Sequence, residues 1–147
     1  MTARIAIILA TLLTVAPRAN PHDLAALAVA VAHVETITAL DVPTILAVAS
    51  VETGGTFQPD LVSHAGACGV LQSMPKWSPL TCDELKHPLG GVVGGVMAWQ
   101  YWTTRARRHS VAEMYNGGNH PGSAAGVYAR EHERRRRRIS GVMGVER

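Results

Sequence analysis

Apolar residues in this chain recur in blocks at helical rather than alternating spacing. The segment "NPHDLAALAVAVAHVETITAL", residues 20–40, opens with Asn20 as N-cap and Pro21 at the first helical position. Its Leu, Val and Ala content predicts a helix packed on several sides. "DVPTILAVASVE" follows, with Asp41 as N-cap, Pro43 in the first turn, and a buried stripe of Ile45, Leu46, Val48 and Ala49. Gly54 and Gly55 supply the stop. Residues 56–68 read as loop, and "GVLQSM" as one or two helical turns limited by Pro75. The prolines and glycines at 75, 79, 88, 90 and 91 predict irregular structure. "VVGGVMAWQYWTTRARR" returns to helix, with Val92, Val96, Trp99 and Trp102 near one face. Ser110 and Glu113 form a capping box for "SVAEMYN". "GGNHPG" is a turn, and "SAAGVYAREHERRRRR" is a last helix that becomes wholly charged. No segment alternates convincingly and no repeat is present, so the expected fold is one mainly α domain with at most a short β-hairpin, in 54–68.

The 147 residues suffice for one domain with a core. The formal net charge of +3 sits largely in "REHERRRRR", residues 130–138, leaving the rest near neutral. The run Arg134 to Arg138 reads as a solvated helix end or as a contact for an anionic surface, such as phospholipid headgroups or wall polymers. No nucleic-acid partner is expected, because neither an aromatic-interleaved groove nor a recognition helix accompanies it.

The N-terminus has the order of an export signal: basic "MTAR", apolar "IAIILATLLTVA", then "PRAN" with small Ala19 before a cut near Asn20. An uncleaved anchor and a buried N-terminal helix are the alternatives. The expected organisation is a leader at 1–19, a domain at 20–138 and a flexible tail at 139–147, in an exported periplasmic or extracellular protein. Cys68 and Cys82 fit that compartment, either bridged or as two separate buried thiols. A bridge would close a loop of about 15 residues, worth about 3 kcal/mol in the loop-entropy picture. The scattered histidines 64, 87, 109 and 120 and the cysteine spacing give no metal-ligand pattern, so no metal or cofactor is expected.

Glu52 carries the chemistry. It ends an apolar helix beside an open glycine turn. Partial burial raises the pKa of a carboxyl group, and the negative end of the helix dipole acts in the same direction. A carboxylic acid still protonated near neutral pH can give its proton to a leaving oxygen. From position alone, an exposed glutamate at a helix end is the commoner outcome.

The surrounding motifs sharpen this reading. "VETGGTFQPDLVSHAGACGVLQSMP" resembles the soluble lytic transglycosylase family, lysozyme-like enzymes related to goose-type lysozyme. Glu52-Thr53 stands for the family's Glu-Ser, and Ser63, Gly66, Ala67 and Gly69 match its loop. Val70-Leu71-Gln72 stands for Leu-Met-Gln, with Met74-Pro75 following. Downstream, "AEMYNGGNHPG" resembles Ala-Ala-Tyr-Asn-Ala-Gly through Tyr115, Asn116 and Gly118, and "GGVMAWQYW" resembles the glycine-rich helix before it. The likeness covers roughly residues 40–130, with three motifs in order.

The resemblance implies a goose-type, lysozyme-like domain with a catalytic cleft and no cofactor. Glu52 would be the acid/base, Gln72 a cleft-floor hydrogen-bonding residue, and Tyr115 a phenol close to the acid that helps hold it. Asn116 would bind sugar or cap its helix; Thr53, Ser63 and Leu71 are weaker substrate-contact candidates. Thr53, Gly54, Gly55, Met114 and Gly117 depart from the family pattern, and Met114 would narrow the cleft or fill core. Trp99 and Trp102 read as core, and Trp77 as the better sugar-stacking candidate.

The implied reaction needs one carboxyl group. Glu52 would protonate the oxygen between N-acetylmuramic acid and N-acetylglucosamine, then deprotonate the C6 hydroxyl that attacks C1, giving a 1,6-anhydro end. A hydrolase acting on the same bond and an inactive glycan-binding module are the alternatives. The implied partner is the peptidoglycan glycan strand, cut locally for a secretion, conjugation or phage apparatus.

Overall fold

The computed structural model describes residues 1–145. Among them, seven α-helices account for the regular structure: α1 (Thr2–Val15), α2 (Pro21–Glu35), α3 (Val42–Glu52), α4 (Cys82–Lys86), α5 (Pro88–Thr103), α6 (Val111–Gly117) and α7 (Ser123–Met143). No strand forms among the described residues. The expected hairpin region holds two isolated bridges, Val62 with Cys68 and Cys68 with Ser73.

The capping residues set the starts. The Asn20 side chain accepts from the His22 N–H, and Asp41 accepts from the Thr44 N–H. Ser110 and Glu113 complete a capping box for α6. Gly54 and Gly55, at φ 62° and 85°, turn the chain out of α3.

Two local expectations fail. The stretch 75–91 is largely helical: a 3-10 turn at Pro75–Trp77 precedes α4, which starts on a Thr81–Glu84 capping box. Pro88, read as a breaker, sits at the start of α5, where its missing N–H has no helical partner to lose. "GVLQSM" forms no helix. Gln72 adopts φ 51°, and the Cys68 and Ser73 backbones exchange hydrogen bonds instead.

Helix α3 is the centre of the molecule. Every residue from Val42 to Ser50 is buried. Long helix α7 packs along it, and α2 joins α5 to the same core. Trp99 and Met114 are core residues, whereas Trp77 is exposed with the Lys76 ammonium 4.2 Å from its ring centre. Trp102 is half-buried and meets Tyr101 edge-on.

The first helix and residues 139–143 are built into the fold. Residues 2–15, read as a leader, form α1, whose Ile8 and Leu12 are fully buried while Arg4 pairs with Glu35 on α2. The segment expected as a flexible tail from 139 continues α7 to Met143, with Ile139 buried; positions 146 and 147 lie outside the described residues. The apolar run therefore has the pattern of a packed helix as well as that of a leader.

Cys68 and Cys82 form a disulfide, Cα atoms 5.5 Å apart, tying the loop ahead of Gly69 to the start of α4. The seam it braces is close. A Cβ on Gly69 would lie 2.0 Å from the Leu85 carbonyl oxygen, and one on Gly95 would lie 2.3 Å from Leu71 Cδ2. Replacing both cysteines by serine is expected to lower stability by about 3 kcal/mol, read by urea denaturation against the oxidised parent.

Candidate functional site

Helix α3 delivers Glu52 at its last position, at the boundary between core and surface. The carboxyl is held there by α7: the Tyr128 hydroxyl donates to Glu52 Oε1 at 2.7 Å. Desolvation dominates its ionisation and raises the pKa from 4.5 to about 7, against the Tyr128 hydrogen bond, which lowers it. Near neutral pH the group is therefore split between acid and base. With Oε1 accepting from Tyr128, the acid form carries its proton on Oε2. Tyr128 itself is driven well above the ordinary phenol range, first by burial and then by the Glu52 charge, so it stays a neutral donor.

Tyr115 lies in the same cluster in a different role. Its hydroxyl donates to the Leu71 carbonyl at 2.7 Å, and its ring stands 5.6 Å from that of Trp99. Burial, then the charge of Glu52, raises its pKa, so the two residues are electrostatic neighbours. The phenol bonded to the acid is nevertheless Tyr128, and Tyr115 instead ties α6 to the Leu71–Gln72 segment.

The remaining candidates are mostly scaffold. Thr53 is buried; its Oγ1 donates to the Ala49 carbonyl at 2.7 Å and accepts from the Phe57 N–H at 2.9 Å. That acceptance anchors Phe57, a buried residue at φ 56°, a conformation costly without a glycine. Ser63 Oγ accepts from the Ala67 N–H and closes the loop. Gln72 spends its amide nitrogen on the Leu61 and Gly69 carbonyls, at 3.0 and 2.8 Å. The Leu71 side chain is buried against Gly95. Asn116 is exposed on α6. Glu52 and Tyr115 are thus brought together, and Thr53, Ser63, Gln72 and Leu71 shape the loops around them.

Two residues of the cluster are absent from the motif reading, Tyr128 and Arg135. Tyr128 lies on the stripe Ala125, Tyr128, His132, Ile139, spaced by three, four and seven, which marks the inward face of α7. Arg135 shares that register, and its Nη1 donates to the Ser50 carbonyl and, at 2.7 Å, to Ser50 Oγ. It thereby caps the C-terminal end of α3. Within the arginine run Arg134, Arg137 and Arg138 are exposed, as a solvated helix face requires, while Glu131 pairs with Arg134 and Arg135, and Glu133 with Arg136 and Arg137.

Two cavities lie against α7, and Glu52 lines neither. One of about 850 Å³ lies between α5, α6 and α7, beside Trp99 and His132. The other, about 740 Å³, is lined by Ser50, Gly54 and Gly55 next to Glu52 in sequence, and by arginines of α7. Among the described residues no group of three or more His, Cys, Asp or Glu side chains is placed to hold a metal, and no helix is long and apolar enough to cross a membrane.

No protein-family model matches the chain, and neither does any curated protein or solved structure.

The raised Glu52 pKa has a thermodynamic consequence. Between pH 4.5 and 7 the folded state keeps a proton that the unfolded state releases, so stability falls as pH rises through that window. The full span amounts to about 3 kcal/mol. Glu52→Gln is expected to flatten this slope and to be the more stable protein above pH 7, read by urea midpoints at several pH values.

Proposed function

We propose that the chain is a peptidoglycan lytic transglycosylase cleaving the β-1,4 bond between N-acetylmuramic acid and N-acetylglucosamine. The observation that carries the reading is Glu52: a carboxyl at the end of a buried helix, pKa about 7, oriented by one neutral phenol. Such a group can serve as acid and then as base in one cycle. Glu52 Oε2 would protonate the glycosidic oxygen as the C1–O bond breaks. The resulting carboxylate would take the proton from the C6 hydroxyl as that oxygen bonds to C1, closing the 1,6-anhydro ring and restoring the acid.

A single carboxyl favours this route over two-carboxylate hydrolysis. No second acidic residue is among the causes of the Glu52 shift, and Asp60, Asp83 and Glu84 are all exposed. Two of the motif segments meet at Tyr115, which feels the charge of Glu52 and bonds the Leu71 carbonyl, and this supports the same reading. The disulfide supports an exported, periplasmic or extracellular site of action. Local opening of the wall for an envelope-spanning secretion, conjugation or phage apparatus is the role proposed for a domain of this size.

Digestion of purified peptidoglycan followed by mass spectrometry tests the reading: anhydro ends are expected, and reducing ends would assign a lysozyme-like hydrolase instead. Glu52→Gln is expected to lower the rate by about 10²–10⁴-fold with the fold retained. Undiminished lysis by that variant would eliminate the mechanism, and inactivity of the wild-type protein together with glycan binding would indicate a binding module.

Tyr128→Phe removes a bond that stabilises the carboxylate. The alkaline limb of the pH–rate profile is expected to move up by about one unit, the worth of one hydrogen bond.

A further inference from the structure

The inward stripe of α7 carries Tyr128 to Glu52. The outer side of the same helix carries Arg130, Arg134, Arg137 and Arg138, all exposed. Steps of three and four residues put them on one face. From Arg130 to Arg138 six arginines stand against two glutamates. Those glutamates are already shared, Glu131 between Arg134 and Arg135 and Glu133 between Arg136 and Arg137. Among the described residues, Arg130 and Arg138 have no hydrogen-bond or ion-pair partner. Like charges at such spacings repel, so this face works against its own helix until an anionic partner relieves it.

Apolar groups beside the arginines narrow the partner. Val127 and Val142 are exposed and flank the row on the same face, three residues before Arg130 and four after Arg138. The hollow of about 850 Å³ alongside is lined by Arg130, Arg134 and Arg137 together with Trp99 and Val111. Positive charge alone suits any polyanion. A hydrated polymer offers nothing to the valines or the hollow, whereas a bilayer interface presents headgroup phosphates and acyl carbons side by side. We propose that the outer face of α7 docks on a membrane surface rich in anionic phospholipid. The four arginines meet headgroup phosphates, which match the guanidinium fork, and Val127 and Val142 enter the acyl boundary. No residue of α1 takes part. The inference does not depend on the glycan-cleaving function; where both hold, the Tyr128–Glu52 pair lies on the side of α7 turned away from the lipid.

Sedimentation of the oxidised full-length protein with lipid vesicles tests this without catalysis. The probes are vesicles of phosphatidylglycerol mixed equally with phosphatidylcholine, vesicles of phosphatidylcholine alone, and soluble inorganic polyphosphate. Binding to the anionic vesicles is expected, and much weaker binding to phosphatidylcholine. The double substitution Arg130→Gln, Arg138→Gln is expected to weaken it about 25-fold, at about fivefold for each basic side chain near an anionic surface. Neither arginine has a protein partner to lose, and an unchanged circular dichroism melt checks the fold. Salt at about 1 M, where screening acts within about 3 Å, is expected to release the wild-type protein. Val127→Ser with Val142→Ser is expected to weaken vesicle binding severalfold and to leave polyphosphate binding unchanged. Absent binding to anionic vesicles, or equal binding by the arginine variant or by phosphatidylcholine vesicles, would overturn the proposal. Polyphosphate held as tightly as the vesicles, or vesicle binding untouched in the valine variant, would assign the face to a soluble polyanion and overturn the membrane reading.

Discussion

The Tyr128–Glu52 hydrogen bond is the contact on which the site depends. It spans 76 residues of sequence and exists only because α7 lies along α3. An isolated α3 would leave Glu52 in water with an ordinary carboxylate pKa. Packing removes that water, and the cost of burying a charge falls on ionisation rather than on the fold, because the group can stay protonated. The α3–α7 seam thus produces both the core and the acid.

The other half of the site is a loop made rigid without strands. Residues 61–73 satisfy their backbone groups through short-range bonds, the Gln72 amide and the Ser63 hydroxyl. Gly69 permits close approach to α4, and the disulfide fixes the same seam covalently. Tyr115 then binds the Leu71 carbonyl from α6. Polar residues that looked like substrate contacts are used to hold a loop that lacks a sheet.

Much of the helical frame was legible from caps: Asn20, Asp41 and Ser110 act through local bonds that a sequence displays directly. The irregular reading of 75–91 came from counting prolines and glycines without their position, for Pro88 starts a helix and Gly91 and Gly95 allow close packing inside it. Glu52 stood out at the end of an apolar run, but its place alone favoured an exposed side chain; its burial comes from the packing of α7 on α3. Its phenol was not legible, because Tyr128 and Tyr115 carry the same chemistry, and only the crossing of α7 over α3 decides which reaches the carboxyl. The N-terminal run was ambiguous for a further reason. Burying Ile8 and Leu12 requires the same apolar composition that an export signal requires.

Helix α7 makes two polar ties to the last turn of α3, seven residues apart on one face, and their chemistry differs in a way that matters. Arg135 brings a positive charge to the Ser50 carbonyl and compensates the negative end of the helix. Tyr128 brings a neutral donor to Glu52. Exchanging these partners would place a guanidinium against the carboxyl and depress its pKa as an opposite charge does. The same face of α7 therefore stabilises a helix end with a cation while keeping that cation off the acid. The arginine-rich sequence of α7 is compatible with a protonated Glu52 only because of that separation.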